Sequence, residues 1–308
     1  MITIRPLRGE FAAAVEGVAL ETMGPQAFAR VEEALHRYAV LVFRDQELSA
    51  QGQLRFSRMF GPLQKRSSYV RERERLASDE MMDISNIDAD GRLLAPDDRQ
   101  RMMNMGDRLW HADGTFQHVP SAISLLYAHE VAPEGGNTEL ADMRAAYDAL
   151  SPQRQAEYEP LVVEHDLFHS RQQVGFEEFN AGVRALRPPA LQVLVRRHER
   201  TGRRSLYLAS HAARIVGRGL EEGRALLRQL IEEATPREFV YAHQWQPRDL
   251  LVWDNRCTMH RARPFDDLRH RRVMQRTTVI DTMNSVDRAL AEGRRLLLEE
   301  ADRAGAAG

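Results

Sequence analysis

Two histidines and one aspartate, His111, Asp113 and His260, are the residues whose types and spacing best suit metal chemistry. His111 and Asp113 are separated by one residue, so both side chains project from the same side of an extended segment. Two imidazoles and one carboxylate can occupy one face of a metal ion and leave the opposite face open. That arrangement suits ferrous iron that works on dioxygen. The sequence therefore predicts a metal site built from these three side chains.

The sequence around the three residues supports this prediction more than the short motif does. A chain with 11 histidines contains one His-x-Asp by chance at roughly even odds. However, Trp110 precedes His111, and an apolar passage, residues 109–116, is typical of a strand that leaves a core. His260 follows a second apolar passage that ends in an Asp-Asn turn. We expect two strand ends that face each other across a barrel.

Two arginines on the last predicted strand indicate an anion-binding site. Arg272 and Arg276 are four residues apart, so they share one face of a strand. Guanidinium groups buried inside a barrel need anions as partners. A dicarboxylate cosubstrate would supply one such partner through its distal carboxylate.

The composition describes an ordinary globular chain of 308 residues, 43% hydrophobic and 29% charged. A net charge of -2 gives no basic field, so nucleic acid is not an expected partner. The single cysteine, Cys257, is predicted to be a packed small side chain. Neither a secretory signal nor a run of some 20 apolar residues is visible, which predicts a cytoplasmic protein with no membrane partner.

Short strands are the elements that must position these residues, and the predicted fold class is mainly β with added helices. One domain over 1–308 is expected, with a catalytic core to about residue 281 and a C-terminal helix and frayed tail at 282–308. Strands are predicted at 2–7, 14–20, 39–43, 82–87, 121–129, 161–165, 191–195, 205–208, 239–245 and 272–281. Helices are predicted at 25–38, after Ser49, after Asp142, and at 152–158, 220–234 and 286–301.

Two connections are predicted to be loops. Residues 64–79 are dense in Lys, Arg and Glu and favour a mobile loop. Residues 92–106 form an irregular stretch with the length of an active-site lid. The helix at 286–301 could pack against the body or against a second copy of the chain, so a homo-oligomer is left open.

Several tracts carry a resemblance to a known family. The chain resembles the taurine/2,4-D (TauD/TfdA) family of iron(II)- and 2-oxoglutarate-dependent dioxygenases, and within it the 2,4-dichlorophenoxyacetate dioxygenase branch. The tracts include Leu-Trp-His-Ala-Asp at 109–113, Asp-Ile-Ser-Asn at 83–86 and Trp-Asp-Asn-Arg-Cys at 253–257. Further tracts lie at 39–44, 60–63, 135–139, 142–150 and 237–241. The resemblance extends from residue 7 to about residue 281.

The resemblance implies roles for individual residues around the metal. It makes His111, Asp113 and His260 the iron(II) ligands and the catalytic centre. Thr138 and Arg272 would bind the far carboxylate of 2-oxoglutarate, and Trp253 would line that pocket. The spacing from His260 is one residue longer than the branch pattern, so Arg271 is the reserve candidate for Arg272.

The resemblance also implies a substrate site, a fold and a reaction. Arg276 would bind the anionic group of the substrate or assist the cosubstrate. Arg92 stands where the branch has a lysine, and His118 is a candidate for the pocket wall. The implied fold is a double-stranded β-helix, or jelly roll. The implied reaction couples decarboxylation of 2-oxoglutarate by dioxygen to hydroxylation of an anionic small molecule. With an aryloxyacetate, hydroxylation beside the ether oxygen gives a hemiacetal that collapses to a phenol and glyoxylate.

Three alternative functions remain open on the basis of the residues alone. An alkylsulfonate or another aliphatic acid could be the substrate of the same chemistry. A β-barrel sensor could bind the metal and 2-oxoglutarate without turnover. The same ligand types also suit zinc, so a zinc hydrolase is a further alternative.

Overall fold

The computed structural model describes residues 2–65, 76, 78–176 and 181–298, and this part of the chain is mainly β with added helices. The strands are β1 (Thr3–Arg8), β2 (Phe11–Glu16), β3 (Val40–Phe43), β4 (Met81–Asp83), β5 (Ser121–Glu130), β6 (Thr138–Asp142), β7 (Val162–His165), β8 (Ala190–Val193), β9 (Val195–Arg197), β10 (Arg204–Leu206), β11 (Ala212–Ile215), β12 (Val240–His243), β13 (Leu250–Asp254), β14 (Thr258–Ala262) and β15 (Val273–Ile280). The helices are α1 (Pro25–Tyr38), α2 (Ala50–Arg58), α3 (Arg99–Asn104), α4 (Met143–Asp148), α5 (Pro152–Tyr158), α6 (Leu167–Gln172), α7 (Ala181–Ala185), α8 (Leu220–Glu233) and α9 (Ser285–Ala291).

Two of the sheets carry the residues of interest. A seven-stranded sheet has the order β1-β2-β3-β13-β5-β15-β4, and a three-stranded sheet has the order β12-β6-β14. Strand β5 lies between β13 and β15 and pairs with both in antiparallel orientation, whereas β2 and β3 are parallel. Two smaller sheets, β11-β7-β8 and β10-β9, complete the described strands.

Helix α1 shows how an apolar stripe attaches a helix to the large sheet. Its buried residues include Phe28, Val31, Leu35 and Tyr38, as the spacing predicted. Phe28 makes an edge contact with Phe60 at 4.7 Å between ring centroids. Each buried side chain of this size contributes about 1.5–3 kcal/mol. The helix therefore anchors the sheet whose central strands lie beside the metal residues.

Three predicted elements end earlier or differ in type. The strand predicted at 14–20 ends at Glu16 because Gly17 adopts a left-handed conformation, with φ 75°. The irregular stretch predicted at 92–106 contains the short helix α3, whose N-terminus is capped by the Asp98 carboxylate. The C-terminal helix stops at Ala291 rather than 301, since Gly293 turns the chain with φ 75°. The residues from 299 onward lie outside the described part.

One predicted loop falls mostly outside the described residues, and some observed elements were not predicted. Most of the loop predicted at 64–79, namely 66–75 and 77, lies outside the described residues. Helices α6 and α7 and strand β11 had no counterpart in the prediction. Within the described ranges, none of the helices combines the length and the apolarity that crossing a bilayer requires.

Candidate active site

The backbone brings His111 and His260 side by side. His260 lies on β14, and an isolated antiparallel bridge pairs it with His111. The His111 N–H donates to the His260 carbonyl at 3.0 Å, and the His260 N–H donates to the His111 carbonyl at 2.7 Å. The two rings lie with centroids 4.2 Å apart. Two segments that are distant in sequence thus meet because they share a strand register.

Asp113 completes this group, which we call the metal cluster (His111, Asp113 and His260). The Asp113 carboxylate lies 3.9 Å from His111 Nε2 and 3.8 Å from His260 Nε2. All three residues are buried, and one ligand atom from each lies within 4.8 Å of the others. The metal cluster predicted from the sequence is therefore assembled in the fold.

The surroundings of the two imidazoles suit metal ligands. His111 Nδ1 lies 2.8 Å from the Leu109 carbonyl oxygen, which can only accept, so Nδ1 carries a proton and Nε2 is the nitrogen that faces Asp113. Burial, and then the neighbouring His111, hold the pKa of His260 well below its usual value. His260 is thus neutral, with a lone pair available for a metal ion.

Asp113 is held by a ring of hydrogen bonds that the sequence did not reveal. The Asp113 N–H donates to Asn255 Oδ1 at 3.1 Å, and Asn255 Nδ2 donates to Ser124 Oγ at 2.9 Å. The Ser124 hydroxyl donates back to Asp113 Oδ2 at 2.7 Å. Trp253 supports the ring because its indole N–H donates to Asn255 Oδ1 at 2.9 Å. Such outer partners orient a ligand before the metal binds.

Arg276 lies beside the metal cluster. Its Nη1 donates to Asp113 Oδ1 at 2.8 Å, and its Nη2 lies 3.4 Å from Met82 Sδ. Burial alone would raise the pKa of Asp113, but Arg276 and then His260 outweigh burial and hold it well below the usual range. Asp113 is therefore ionised. The Nε of Arg276 is buried and has no partner among the described residues, so one donor remains for a ligand.

Arg272 is a buried cation with no ion pair in the described part of the chain. It is 8% exposed, and burial lowers the pKa of its guanidinium to about 10. Its side chain packs against Gly136, where a Cβ would lie 3.7 Å from Arg272 Cδ and Nε. The neighbouring Arg271 is exposed and pairs with Glu130 at 2.8 Å. Of the two arginines considered from the sequence, Arg272 is the one that faces inward.

Thr138 and Trp253 occupy buried positions on the two sheets. Thr138 is the first residue of β6, and its Oγ1 accepts a hydrogen bond from Trp245 Nε1 at 3.0 Å. Trp253 is on β13, and its ring lies 4.7 Å from that of His260. Trp253 is therefore a neighbour of the metal cluster, and Thr138 lies two residues beyond the glycine that contacts Arg272.

Two residues predicted for the substrate site make their contacts elsewhere. The Arg92 side chain is 78% exposed and lies 3.5 Å from Asp90 in a surface turn. The His118 side chain is 75% exposed and lies 3.6 Å from Asp287 in α9. The structure does not bring either side chain to the metal cluster. In contrast, His211, which sequence reasoning did not assign to the site, has its ring 5.9 Å from the His111 ring and contacts Phe116.

The donor sets fit the cofactor and cosubstrate that the resemblance implied. Two imidazoles and an ionised carboxylate converge on one point, which matches the ligands of iron(II) oxygenases. An unpaired buried guanidinium, Arg272, needs an anion, and a 2-oxo dicarboxylate carries one at its far end.

Comparison with known proteins supports the same conclusion. Residues 3–278 match the family described as taurine catabolism dioxygenase TauD, TfdA family. The alpha-ketoglutarate-dependent 2,4-dichlorophenoxyacetate dioxygenase of Cupriavidus pinatubonensis is 42% identical over 91% of this chain and 98% of its own length. The (S)-phenoxypropionate/alpha-ketoglutarate-dioxygenase of Sphingobium herbicidovorans is 37% identical over 88% of this chain and 92% of its own.

Solved structures agree with the sequence relatives. The crystal structure of AAD-2 in complex with Mn(II) and N-oxalylglycine superposes with a TM-score of 0.86 and 44% identity, over 92% of this chain and 98% of the other. A taurine dioxygenase from Burkholderia xenovorans gives a TM-score of 0.72 and 29% identity, over 91% of this chain and 90% of its own. These findings confirm the predicted iron(II)- and 2-oxoglutarate-dependent enzyme class, and the chain belongs to the taurine catabolism dioxygenase TauD, TfdA family.

Proposed function

We propose that this protein oxidises an aryloxyalkanoate at the carbon next to the ether oxygen, with iron(II), 2-oxoglutarate and dioxygen. The hydroxylated product is a hemiacetal, which collapses to a phenol and a 2-oxo acid, glyoxylate in the case of an aryloxyacetate. The names and identities of relatives at 37–42% support this substrate class. The taurine dioxygenase structure is more distant, at 29% identity.

The observation that carries the proposal is a pair of inward-facing arginines, the buried Arg272 just before β15 and the largely buried Arg276 on β15. Among the described residues Arg272 forms no close ion pair, and the Asp107 carboxylate acts on it only at longer range. Arg276 lies next to the metal cluster with an unused Nε donor. Arg272 would bind the far carboxylate of a dicarboxylate cosubstrate, and Arg276 would bind the carboxylate of an anionic substrate.

The metal cluster would hold iron(II) through His111 Nε2, His260 Nε2 and the Asp113 carboxylate. When bound there, iron(II) with 2-oxoglutarate and dioxygen supplies the oxidising power that removes hydrogen from a substrate carbon. The task of the chain is placement, because an aligned pair of reactants reacts far faster than a free pair. The hydrogen-bond ring of Ser124 and Asn255 fixes the carboxylate for this purpose.

The far carboxylate of 2-oxoglutarate would pair with Arg272, with Thr138 as a second donor. Their burial removes competing water, which strengthens such a charged pair. The substrate carboxylate would pair with Arg276, while Met82 and Phe116 would provide apolar contacts for the aryl ring. Collapse of the hemiacetal needs no acid from the protein, so no further proton donor is required.

We further infer a double-stranded β-helix core within a single domain. The support is that the seven-stranded sheet and the sheet β12-β6-β14 contribute neighbouring residues to one site, Trp253 from the first and His260 from the second. A homo-oligomer stays a prediction from the amphipathic C-terminal segment.

A substrate panel tests the proposed function. Iron(II)-loaded protein is supplied with 2-oxoglutarate and, separately, with 2,4-dichlorophenoxyacetate, each enantiomer of a phenoxypropionate, and taurine. We expect succinate release with at least one aryloxyalkanoate, in equal amount to the phenol formed. Succinate release with taurine and none above background with any aryloxyalkanoate would instead identify an alkylsulfonate oxygenase.

A further inference from the structure

The tract Asp-Ile-Ser-Asn at 83–86 carries part of the family resemblance but has no role in the site described so far. Strand β4 ends within it, at Asp83. Asn86 follows and is buried, at 8% exposed. A buried amide must place its donors and acceptors on definite partners, so its contacts reveal what it holds.

The Asn86 amide ties together a turn that leads into Arg272. Its Nδ2 donates to the carbonyl oxygens of Asp267 and His270, both at 2.8 Å. Its Oδ1 accepts from the Arg272 backbone N–H at 2.7 Å. One side chain therefore fixes three backbone groups between 267 and 272.

Asn86 holds Arg272 at a point just before the regular hydrogen bonding of strand β15 begins. Strand β15 starts at Val273, and its pairing with β5 shifts register between Val273 and Met274. The Asn86 N–H also donates to the Arg272 carbonyl at 3.3 Å. The position of the Arg272 backbone thus depends on Asn86 more than on its own strand.

A precise backbone matters at Arg272 because its guanidinium has no ion-pair partner in the described residues to hold it. Its contact with Gly136 and its attachment at the backbone are what direct it. A misplacement of about 1 Å at a binding group can cost roughly 100-fold in rate.

We propose that Asn86 is the positioning residue for the 2-oxoglutarate-binding arginine. It sets the direction of the Arg272 guanidinium through the turn at 267–272. This inference rests on the proposed function, specifically on Arg272 as the partner of the far carboxylate.

The turn has a second attachment, which makes an Asn86 variant suitable for experiment. The Asp267 carboxylate pairs with Arg101 at 3.0 Å and with Arg108 at 3.4 Å. These ion pairs hold the Asp267 side chain, whereas Asn86 holds backbone groups of the turn. The turn therefore stays attached in Asn86→Ala, and the variant is expected to fold.

The experiment compares 2-oxoglutarate with 2-oxopentanoate, which has the same chain length but a methyl group in place of the far carboxylate. Binding of each to the Mn(II)-loaded protein is measured by calorimetry, alongside the KM of each for the iron(II) enzyme. We expect the unaltered protein to prefer 2-oxoglutarate by about 100-fold, the effect of one buried charged pair. In Asn86→Ala this preference falls about 10-fold, while binding of 2-oxopentanoate and of Mn(II) stays within about twofold.

Two control variants separate the possible results. Arg272→Ala removes the guanidinium and should abolish the preference. Ser85→Ala removes the neighbouring contact, where the Ser85 hydroxyl accepts from the Met274 N–H at 3.1 Å, and should leave the preference intact. If Asn86→Ala does not fold, Asn86→Ser, which adds no charge beside Arg272, takes its place with the same expectation.

Each remaining outcome overturns a specific statement. If Arg272→Ala loses the preference but the Asn86 variant keeps it, the positioning role is wrong and the proposed function stands. The same holds if the Asn86 variant weakens both 2-oxo acids equally, since that reports a general structural loss. If Arg272→Ala keeps the preference, the proposed role of Arg272 fails, and the role of Asn86 fails with it.

Discussion

Two clusters in this protein have the same composition, two histidines and one aspartate, with ligand atoms within 4.8 Å of one another. One is the metal cluster. The other, which we call the brace cluster, consists of His36, His198 and Asp254. The metal cluster is buried and the brace cluster is buried except for the partly exposed His36, so neither composition nor proximity distinguishes them. The difference lies in which lone pairs are still available.

The two carboxylates differ in the number of donors they accept. Asp254 accepts four hydrogen bonds: from the Arg256 backbone N–H, from Arg256 Nε and Nη2, and from His198 Nε2. A carboxylate has about four lone-pair positions, so Asp254 is saturated. Asp113 accepts one bond on each oxygen, from Ser124 and from Arg276, and keeps positions for an ion.

The histidines differ in the same way. His198 Nδ1 accepts from the backbone N–H groups of Arg200 and Thr201, so its proton is on Nε2, which points at Asp254. No lone pair of His198 therefore faces the centre of the brace cluster. In the metal cluster, His111 Nδ1 donates to a carbonyl and Nε2 faces inward. Free lone pairs, rather than residue types, identify a metal site.

The largest expected effect is on metal binding, and it tests the comparison directly. His260→Ala should weaken Mn(II) or iron(II) binding by more than about 100-fold, because even partners outside the ligand shell are worth 10–100-fold. His198→Ala should leave one equivalent of metal bound, with affinity within about threefold. Metal analysis after dialysis and a Mn(II) titration measure both. A second equivalent of metal in the unaltered protein that His198→Ala removes would refute the comparison.

A large effect on stability is expected at the brace cluster. Asp254→Asn leaves the buried Arg256 with Glu199, at 3.1 Å, as its remaining anionic partner. We expect the free energy of unfolding to fall by about 3–5 kcal/mol, as measured by urea unfolding. Asp113→Asn, the matched change, should abolish metal binding with a smaller loss of stability. An equal fall in the free energy of unfolding for both metal-free variants would show that the two carboxylates contribute equally to stability.

A histidine outside both clusters, His165, extends the comparison because both of its ring nitrogens are buried without a partner in the described structure. Burial lowers its pKa to about 3, from an ordinary value of 6.5. The folded state then binds fewer protons than the unfolded state between these values. Its contribution is complete above pH 6.5 and is lost as the pH falls toward 3, by at most about 1.4 kcal/mol per pH unit.

The pH dependence is measured by urea unfolding between pH 7 and pH 4 in the unaltered protein and in His165→Leu. We expect the variant to lose stability less steeply in this range, with metal binding unchanged. Parallel curves would mean that His165 is protonated in the folded protein and has a partner.

The smallest effect is expected at His36, the least buried member of the brace cluster. Both of its ring nitrogens lack partners among the described residues, and burial lowers its pKa, so the ring is neutral and acts by packing. His36→Phe should change the free energy of unfolding by no more than about 0.5 kcal/mol and leave metal binding unchanged. A loss of 2 kcal/mol or more would show that His36 donates or accepts a hydrogen bond after all.

The sequence predicted those features that depend on local pattern. Helix α1 and strands β3, β5 and β13 lie where periodicity and apolar runs placed them, because burial of one face is encoded in neighbouring residues. The metal cluster was predicted because its motif and the tracts around it are specific. The Ser49 and Asp142 caps were also confirmed, since a cap is a contact over two or three residues.

The contacts that the sequence did not predict join distant segments. Asn255 is 142 residues from the Asp113 N–H that it holds, and Asn86 is 186 residues from Arg272. Polar pairing at such separation leaves no periodic signal. Arg92 illustrates a related limit, since a position matched to a lysine in relatives does not say which way the side chain points, and here it points into solvent.

The reciprocal backbone hydrogen bonds between His111 and His260 also have a consequence for how the enzyme acquires its metal. Because peptide groups set the spacing of these two imidazoles, we expect the polypeptide to fold without help from an ion. Metal loading would then be separate from folding, unlike in small zinc modules that fold only around their metal. On this expectation, chelation of iron removes activity but leaves a folded protein that regains activity when iron is added back.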